Sequence, residues 1–209
     1  NIFNGFDFSG IEIRNFEALN LLSAEGQGGV IHTLGIDNQS SLDKASIKGF
    51  EFTNSSSSDI LDYKSSLVSG NGTTLGNASS DNLTLNNITS KSSRFIADSN
   101  SAVLDIEFSE LNINLSSATT DQIISTVEQA LESTDTSNNL SGSATQVAQG
   151  TNNTDTLLIF YESNQPDRDA VIIRYQESDG DASFDEELSL VAIFEDVGAN
   201  ITFDNSNII

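Results

Sequence analysis

The part of the chain best suited to hold an ion is an acidic segment near the C-terminus, residues 177–186. When Gly180 is aligned with the turn glycine of an EF-hand loop, oxygen-bearing side chains fall at ligand positions: Glu177, Asp179, Asp181, Ser183 and, at the bidentate position, Glu186. Hard oxygen ligands at this spacing suit Ca²⁺. However, Tyr175 stands at the first ligand position and no helices are predicted on either side. Two interpretations stay open: a partial Ca²⁺ site, or a solvated acidic turn between two strands.

The residue types that most enzymes need are scarce in this chain. It has one histidine and no cysteine, which excludes thiolate catalysis and zinc–thiolate sites. A Ser–His–Asp arrangement would have to use His32, which lies in an alternating, strand-like segment. No G-x-S-x-G, Walker A or G-x-G-x-x-G motif occurs. A glycosidase-like carboxylate pair would lack the aromatic platforms of a sugar cleft, since tryptophan is absent. We therefore expect no enzymatic activity.

Charge and composition narrow the class of partner. The 209 residues contain 8 Lys and Arg against 31 Asp and Glu, a net charge of −23. Such an acidic chain is unsuited to nucleic acid or to an anionic membrane surface. No apolar run approaches the roughly 18 residues that span a bilayer, so we expect no membrane insertion. Without disulfides, stability outside the cell would have to come from packing, bound cations or assembly.

Hydrophobic periodicity predicts a mostly β chain with one helix. The strongest predicted strands are residues 156–161, 170–176, 188–194 and 201–203, spaced like an antiparallel meander. Earlier strands include residues 47–52, 102–108 and 111–115. Residues 121–133 instead place five apolar residues at helical spacing: Ile123, Ile124, Val127, Ala130 and Leu131. We expect the face formed by Ile124, Val127 and Leu131 to pack on the sheet, and Thr119, Thr120 or Asp121 can cap the start. We expect an antiparallel β-sandwich or meander sheets with one amphipathic helix, at about 121–133.

The same pattern suggests a domain organisation. Residues 1–133 form a β-rich region that includes the helix, and residues 134–155 form a polar linker rich in Ser, Thr, Asn and Gly. Residues 156–209 form the C-terminal meander, which we expect to pack with the N-terminal region. Because position 1 is Asn, we expect a processed product or a fragment of a longer protein.

Several segments resemble the C-terminal domains of type I-secreted, RTX-like bacterial surface proteins, including the "bluetail" type. They are residues 8–11, 15–21 (NFEALNL), 50–63, 155–161, 169–175, 187–194 and 201–205. The resemblance implies a secreted, cell-surface location, no enzyme activity, and a structural or adhesive role. The G-G-x-G-x-D repeat of that family does not occur, so its calcium β-roll is not carried over.

These observations favour a self-assembling structural protein of an extracellular layer or filament, stabilised by Ca²⁺ if the acidic segment binds it. The alternative is an adhesin module that binds glycan or another surface. Apolar residues near both ends, in residues 1–8 and 201–209, predict association of copies through strand edges. The opposing hypothesis is that both ends pair within their own subunit.

Overall fold

The computed structural model describes residues 2–4, 18–22, 33–36, 46–50, 59–63, 67–68, 74–75, 85–88, 95–96, 103–132, 147–148, 155–163, 168–176, 188–197 and 203. The first strands are β1 (Ile2–Asn4), β2 (Ala18–Leu22), β3 (Thr33–Ile36), β4 (Ser46–Lys48), β5 (Ile60–Tyr63), β6 (Leu67–Val68), β7 (Thr74–Leu75), β8 (Leu85–Ile88), β9 (Phe95–Ile96) and β10 (Val103–Leu111). Helix α1 (Thr120–Glu132) follows, and then β11 (Val147–Ala148), β12 (Asp155–Glu162), β13 (Ala170–Gln176) and β14 (Leu188–Glu195).

Eight strands form one mixed sheet in the order β1–β2–β4–β14–β13–β12–β10–β8. Its centre, β12 to β14, contains the first three strands of the predicted antiparallel meander. Of the fourth predicted strand, 201–203, only Phe203 lies within the described residues, and it is not part of a strand. On either side the pairs are parallel: β1 with β2, β2 with β4, β4 with β14, β12 with β10, and β10 with β8. The other described strands pair as β3–β5, β6–β7 and β9–β11. The prediction of a mostly β fold with one helix is therefore confirmed.

The parallel flanks differ from the antiparallel pairing that the sequence predicted. Periodicity reports which side of a strand is buried, but it does not report the direction of the neighbouring strand. A parallel pair needs a long crossover, often a helix. Here α1 lies in the connection between the parallel strands β10 and β12.

The core lies on both faces of the sheet. One cluster of buried residues, which we call the helix-side cluster, includes Leu158, Phe160, Val171 and Ile173 together with the buried residues of α1. The opposite cluster includes Leu157, Ile159 and Ile172 of the same strands, covered by residues such as Leu61 and Phe203. All eight residues of β12 are buried. Burial on both faces explains why β12 and β13 read as continuous apolar runs rather than as alternating ones.

Helix α1 packs against β14 and β10. Thr119 Oγ1 accepts a hydrogen bond from Gln122 N (3.3 Å), and Gln122 Oε1 accepts one from Thr119 N (2.9 Å). This reciprocal capping box satisfies backbone donors that a helix start leaves open. Ile123, Val127 and Leu131 are almost fully buried, while Ile124 is only partly buried. The buried stripe thus contains Ile123 rather than Ile124 at its first position.

Two further details bear on the predicted organisation. The separate strand expected at residues 111–115 is wrong, because β10 ends at Leu111 and residues 112–118 form turns and bends before α1. There Asn114 Oδ1 accepts hydrogen bonds from Ser116 Oγ (2.8 Å), Ser117 N (2.9 Å) and Ser117 Oγ (2.7 Å), which favours a turn over a strand. The eight-stranded sheet also draws strands from both predicted regions, 1–133 and 156–209, through the β10–β12 and β4–β14 pairs.

Candidate functional site

The predicted Ca²⁺ ligands Glu177, Asp179, Asp181, Ser183 and Glu186 lie outside the described residues. The chain that carries them joins β13, which ends at Gln176, to β14, which begins at Leu188. Because β13 and β14 are antiparallel neighbours, the acidic segment connects two adjacent strands at one end of the sheet. Among the residues that are described, no group of three or more His, Cys, Asp or Glu side chains is arranged to hold a metal ion.

A buried ion pair lies at this same end of the sheet. Asp155, the first residue of β12, faces Gln176 across the ladder, and its Oδ2 accepts a hydrogen bond from Arg174 Nη2 at 3.0 Å. Asp155 and Arg174 are each less than 10% exposed. Burial raises the pKa of the Asp155 carboxyl, and Arg174 opposes that rise. Within the described structure Asp155 Oδ1 and Arg174 Nε make no hydrogen bond, so the pair is only partly satisfied.

The other end of the central strands carries two carboxylates side by side. Glu162 N donates to Asp169 O (2.9 Å), while Asp169 N donates to the Glu162 carboxylate at Oε2 (3.4 Å). Both residues are 5% exposed. Burial, followed by the neighbouring charge of Asp169, raises the pKa of Glu162, and the hydrogen bond from Asp169 N opposes this rise. Asp169 Oδ1 in turn accepts a hydrogen bond from Asp196 N (3.0 Å).

The cations near this end are engaged with more exposed carboxylates. Lys48 pairs with Asp196, and Arg168 pairs with Glu110 (3.5 Å). The bond to Asp196 is the main cause of the raised pKa of Lys48, to which Glu195 and Asp169 also contribute. Ser46 Oγ donates to Glu195 Oε1. The strand ends of β4, β12, β13 and β14 are thus tied together by polar side chains.

Tyr161, in the opposite cluster, connects three separate parts of the chain. Its hydroxyl donates to Asp105 Oδ2 (3.0 Å) on β10 and accepts from Phe203 N (3.2 Å). The Arg168 guanidinium lies 4.2 Å from the centroid of the Tyr161 ring. Burial, and then the Asp105 charge, raise the pKa of Tyr161, so the hydroxyl stays protonated. These contacts make Tyr161 a structural hub.

An open groove runs between the turn after β10 and the first two turns of α1, and it encloses about 710 Å³. Most of its lining residues are polar and include Asn112, Asn114, Asp121, Gln122 and Ser125, although Ile113 and Ala118 make the exposed lining as apolar as it is polar. The side-chain oxygens of Asn114 and Gln122 are already occupied by the turn and by the helix cap. A ligand in the groove would meet the side-chain amide nitrogens of Asn112, Asn114 and Gln122 and the carboxylate of Asp121.

Among the described strands, β1 and β8 are the outer strands of the eight-stranded sheet. Ile2–Asn4 pairs in parallel with β2 of the same chain. Near the other end of the chain, Phe203 is fully buried, with its ring centroid 5.2 Å from that of Phe194 and 6.2 Å from that of Phe50. For residues 2–4 and 203, the ends are therefore held within their own subunit.

Comparisons with protein-family models, curated proteins and solved structures returned no match. In the described part of the chain, no helix is long and apolar enough to cross a membrane.

The buried polar residues Asp105, Asp155, Glu162 and Arg174 were not predicted as a site. In sequence they are single charges within or at the ends of apolar strands, and a charge in that position normally predicts exposure. A signal was present in β13, where Arg174 interrupts a run that is otherwise too apolar for a half-exposed strand, and in β12, where Asp155 stands two residues before a similar run. Their pairing depends on the register of the two strands, which the sequence does not show. His32 lies outside the described residues.

Proposed function

We propose that the protein is a secreted, non-enzymatic structural component of a bacterial cell surface, whose copies associate by adding strands at the β1 edge of the large sheet. The observation that carries this proposal is the place of Ile2–Asn4 at the outer edge of an eight-stranded sheet. An outer strand presents unpaired backbone groups that can template a strand of another chain. The acidic, cysteine-free composition and the resemblance to type I-secreted surface proteins support the location.

Charge sets a condition for this association. Each copy carries −23, so two copies repel one another at low ionic strength. Salt screens that repulsion, and a divalent cation bound to the acidic segment 177–186 would lower the charge itself. Association is therefore expected to strengthen in millimolar calcium.

The experiment compares the mass distribution of three proteins by light scattering in calcium: the parent chain, Phe3→Lys and Gln129→Lys. A lysine on an outer strand opposes strand addition, so Phe3→Lys is expected to shift the distribution to monomer. Gln129→Lys is the matched control, because it changes the net charge equally at an exposed residue of α1, which packs against β14 and β10. A chain lacking residues 1–8 serves as a second test of the same edge.

Equal oligomer distributions for the parent, Phe3→Lys and the truncated chain would refute association through β1. A loss of assembly in Gln129→Lys equal to that in Phe3→Lys would assign the effect to charge alone. Thermal melting by circular dichroism establishes that each variant is folded before its mass is interpreted.

A second candidate function, an adhesin module that binds glycan, is favoured by the groove between the 112–118 turn and α1. Amide donors and a carboxylate acceptor together match sugar hydroxyls, each of which both donates and accepts. Affinity electrophoresis through gels containing dextran, mannan or xylan tests this function. Retardation that disappears in Asp121→Ala but persists in Gln176→Ala would support it, and unretarded migration in all three gels would reject it.

A further inference from the structure

The Glu162–Asp169 contact differs from an ordinary rung of the antiparallel ladder. The last regular pair is Tyr161 with Ala170, and Glu162 and Asp169 come next. Glu162 N donates to Asp169 O, but Asp169 N donates to the Glu162 side chain. The Glu162 carboxylate therefore closes this end of the β12–β13 pair.

Two acidic side chains that are buried opposite each other destabilise the fold when both are ionised. Directly opposed like charges destabilise an antiparallel pair, and both residues are 5% exposed, so water screens them little. Among the described residues no cation forms an ion pair with Glu162. Arg168 pairs with Glu110 of β10, and Lys48 of β4, which pairs with Asp196, also interacts with the charge of Asp169.

The other acidic groups around the pair are more exposed or point to different partners. Glu195 accepts a hydrogen bond from Ser46, and Asp196 donates its backbone N–H to Asp169 while its carboxylate pairs with Lys48. On α1, which packs against β10 and β14, Asp121 is exposed and Glu128 is partly buried. Burial and Asp169 are what raise the pKa of Glu162, with burial the larger cause.

We propose that the Glu162–Asp169 pair is an acid-responsive element, which tightens this end of the sheet when Glu162 is protonated and loosens it when Glu162 ionises. Protonation removes the repulsion and leaves a carbonyl oxygen that still accepts from Asp169 N. Ionisation restores two like charges in a buried position. The proposal concerns the single folded chain and does not depend on association through β1.

The sign follows from linkage between protonation and folding. A carboxyl whose pKa is higher in the folded state than in the unfolded state binds its proton more tightly when folded. Its stabilising contribution is complete below the unfolded value, about 4.3 for glutamate, and is lost as pH rises through the folded value. Stability should therefore fall across this window as pH increases.

The test is the melting temperature of the parent chain, Glu162→Gln and Asp121→Asn measured from pH 4 to pH 8 in constant salt. Glutamine keeps the shape and the acceptor oxygen of protonated glutamate but cannot ionise. We expect Glu162→Gln to melt several degrees above the parent at pH 8, with the difference shrinking towards pH 4. Asp121→Asn is the matched control, because it removes an exposed carboxylate rather than a buried one, and it is not expected to show the gain in melting temperature at pH 8.

Parallel curves for the parent and Glu162→Gln would overturn the proposal. If Glu162→Gln does not fold, the parent chain labelled with ¹³C at the glutamate carboxyl decides by NMR titration. A Glu162 resonance whose midpoint lies above those of exposed glutamates supports the element, and one that titrates with them refutes it. Loss of assembly in Phe3→Lys would leave either result unchanged, so this test is separate from that of the proposed function.

Discussion

At the scale of single residues, Tyr161 holds together parts of the chain that are far apart in sequence. Its hydroxyl lies between Asp105 Oδ2 and Phe203 N, and all three residues are buried. Tyr161→Phe removes both contacts without creating a cavity larger than one oxygen atom. Asp105 Oδ2 and Phe203 N would then lack this buried hydrogen-bond partner. The free energy of unfolding should therefore fall by about 1–3 kcal/mol.

Urea denaturation of Tyr161→Phe, Asp105→Ala and the double variant measures this prediction as a double-mutant cycle. The two substitutions are expected to be non-additive because they act on one contact. Additive losses, within about 0.5 kcal/mol, would mean that the hydroxyl and Asp105 act independently.

The Asp155–Arg174 pair should behave differently when one partner is removed than when both are. Arg174→Leu leaves a buried carboxylate without its cation, with an expected loss of about 3–5 kcal/mol at neutral pH. Replacing both residues with leucine should recover most of that loss, since buried pairs are often no better than apolar packing.

Because burial already raises the pKa of Asp155, and removing Arg174 raises it further, the loss should shrink as pH falls and Asp155 becomes neutral. Denaturation of the single and double variants at pH 4 and pH 7 checks both expectations. A single variant as stable as the double at pH 7 would contradict them.

At the scale of elements, α1 is held by its buried stripe and its cap. Leu131 is 1% exposed within the helix-side cluster, so Leu131→Ala should cost about 2–5 kcal/mol. Gln129→Ala, at an exposed position of the same helix, should change stability by less than about 0.5 kcal/mol. Chemical denaturation of both variants makes the comparison, and a neutral Leu131→Ala would mean that the stripe does not pack on the sheet.

How far the sequence predicted these elements depends on whether the determining interaction is local. Helix α1 was found to within one residue at each end, because its cap and stripe are local features. The meander was found because three apolar runs are separated by polar turns. The parallel strands β1, β2 and β4 were not assigned to this sheet, since their partners are set by distant contacts. The false strand at 111–115 arose because alternating Leu111, Ile113 and Leu115 outweighed the turn signal of Asn114 and the serines that follow it.

At the scale of the whole molecule, calcium is expected to stabilise the fold. A net charge of −23 opposes compaction, and a cation that binds only the native state shifts the equilibrium towards folding. Thermal melts should differ by several degrees between millimolar calcium and EDTA, with sodium chloride at equal ionic strength as the control for screening. If the acidic segment is the site, the double variant Asp179→Ala, Asp181→Ala should show a smaller difference between calcium and EDTA. Identical melting temperatures of the parent chain in calcium and in EDTA would contradict the prediction.

We propose that copies of this acidic chain build a regular assembly through the β1 edge of the eight-stranded sheet. Negative-stain electron microscopy of the parent chain and of Phe3→Lys, each with and without millimolar calcium, tests it most directly. We expect regular layers or filaments of the parent chain in calcium and dispersed particles of Phe3→Lys under the same conditions. Dispersed particles of the parent chain in calcium, or the same regular assembly in Phe3→Lys, would contradict it.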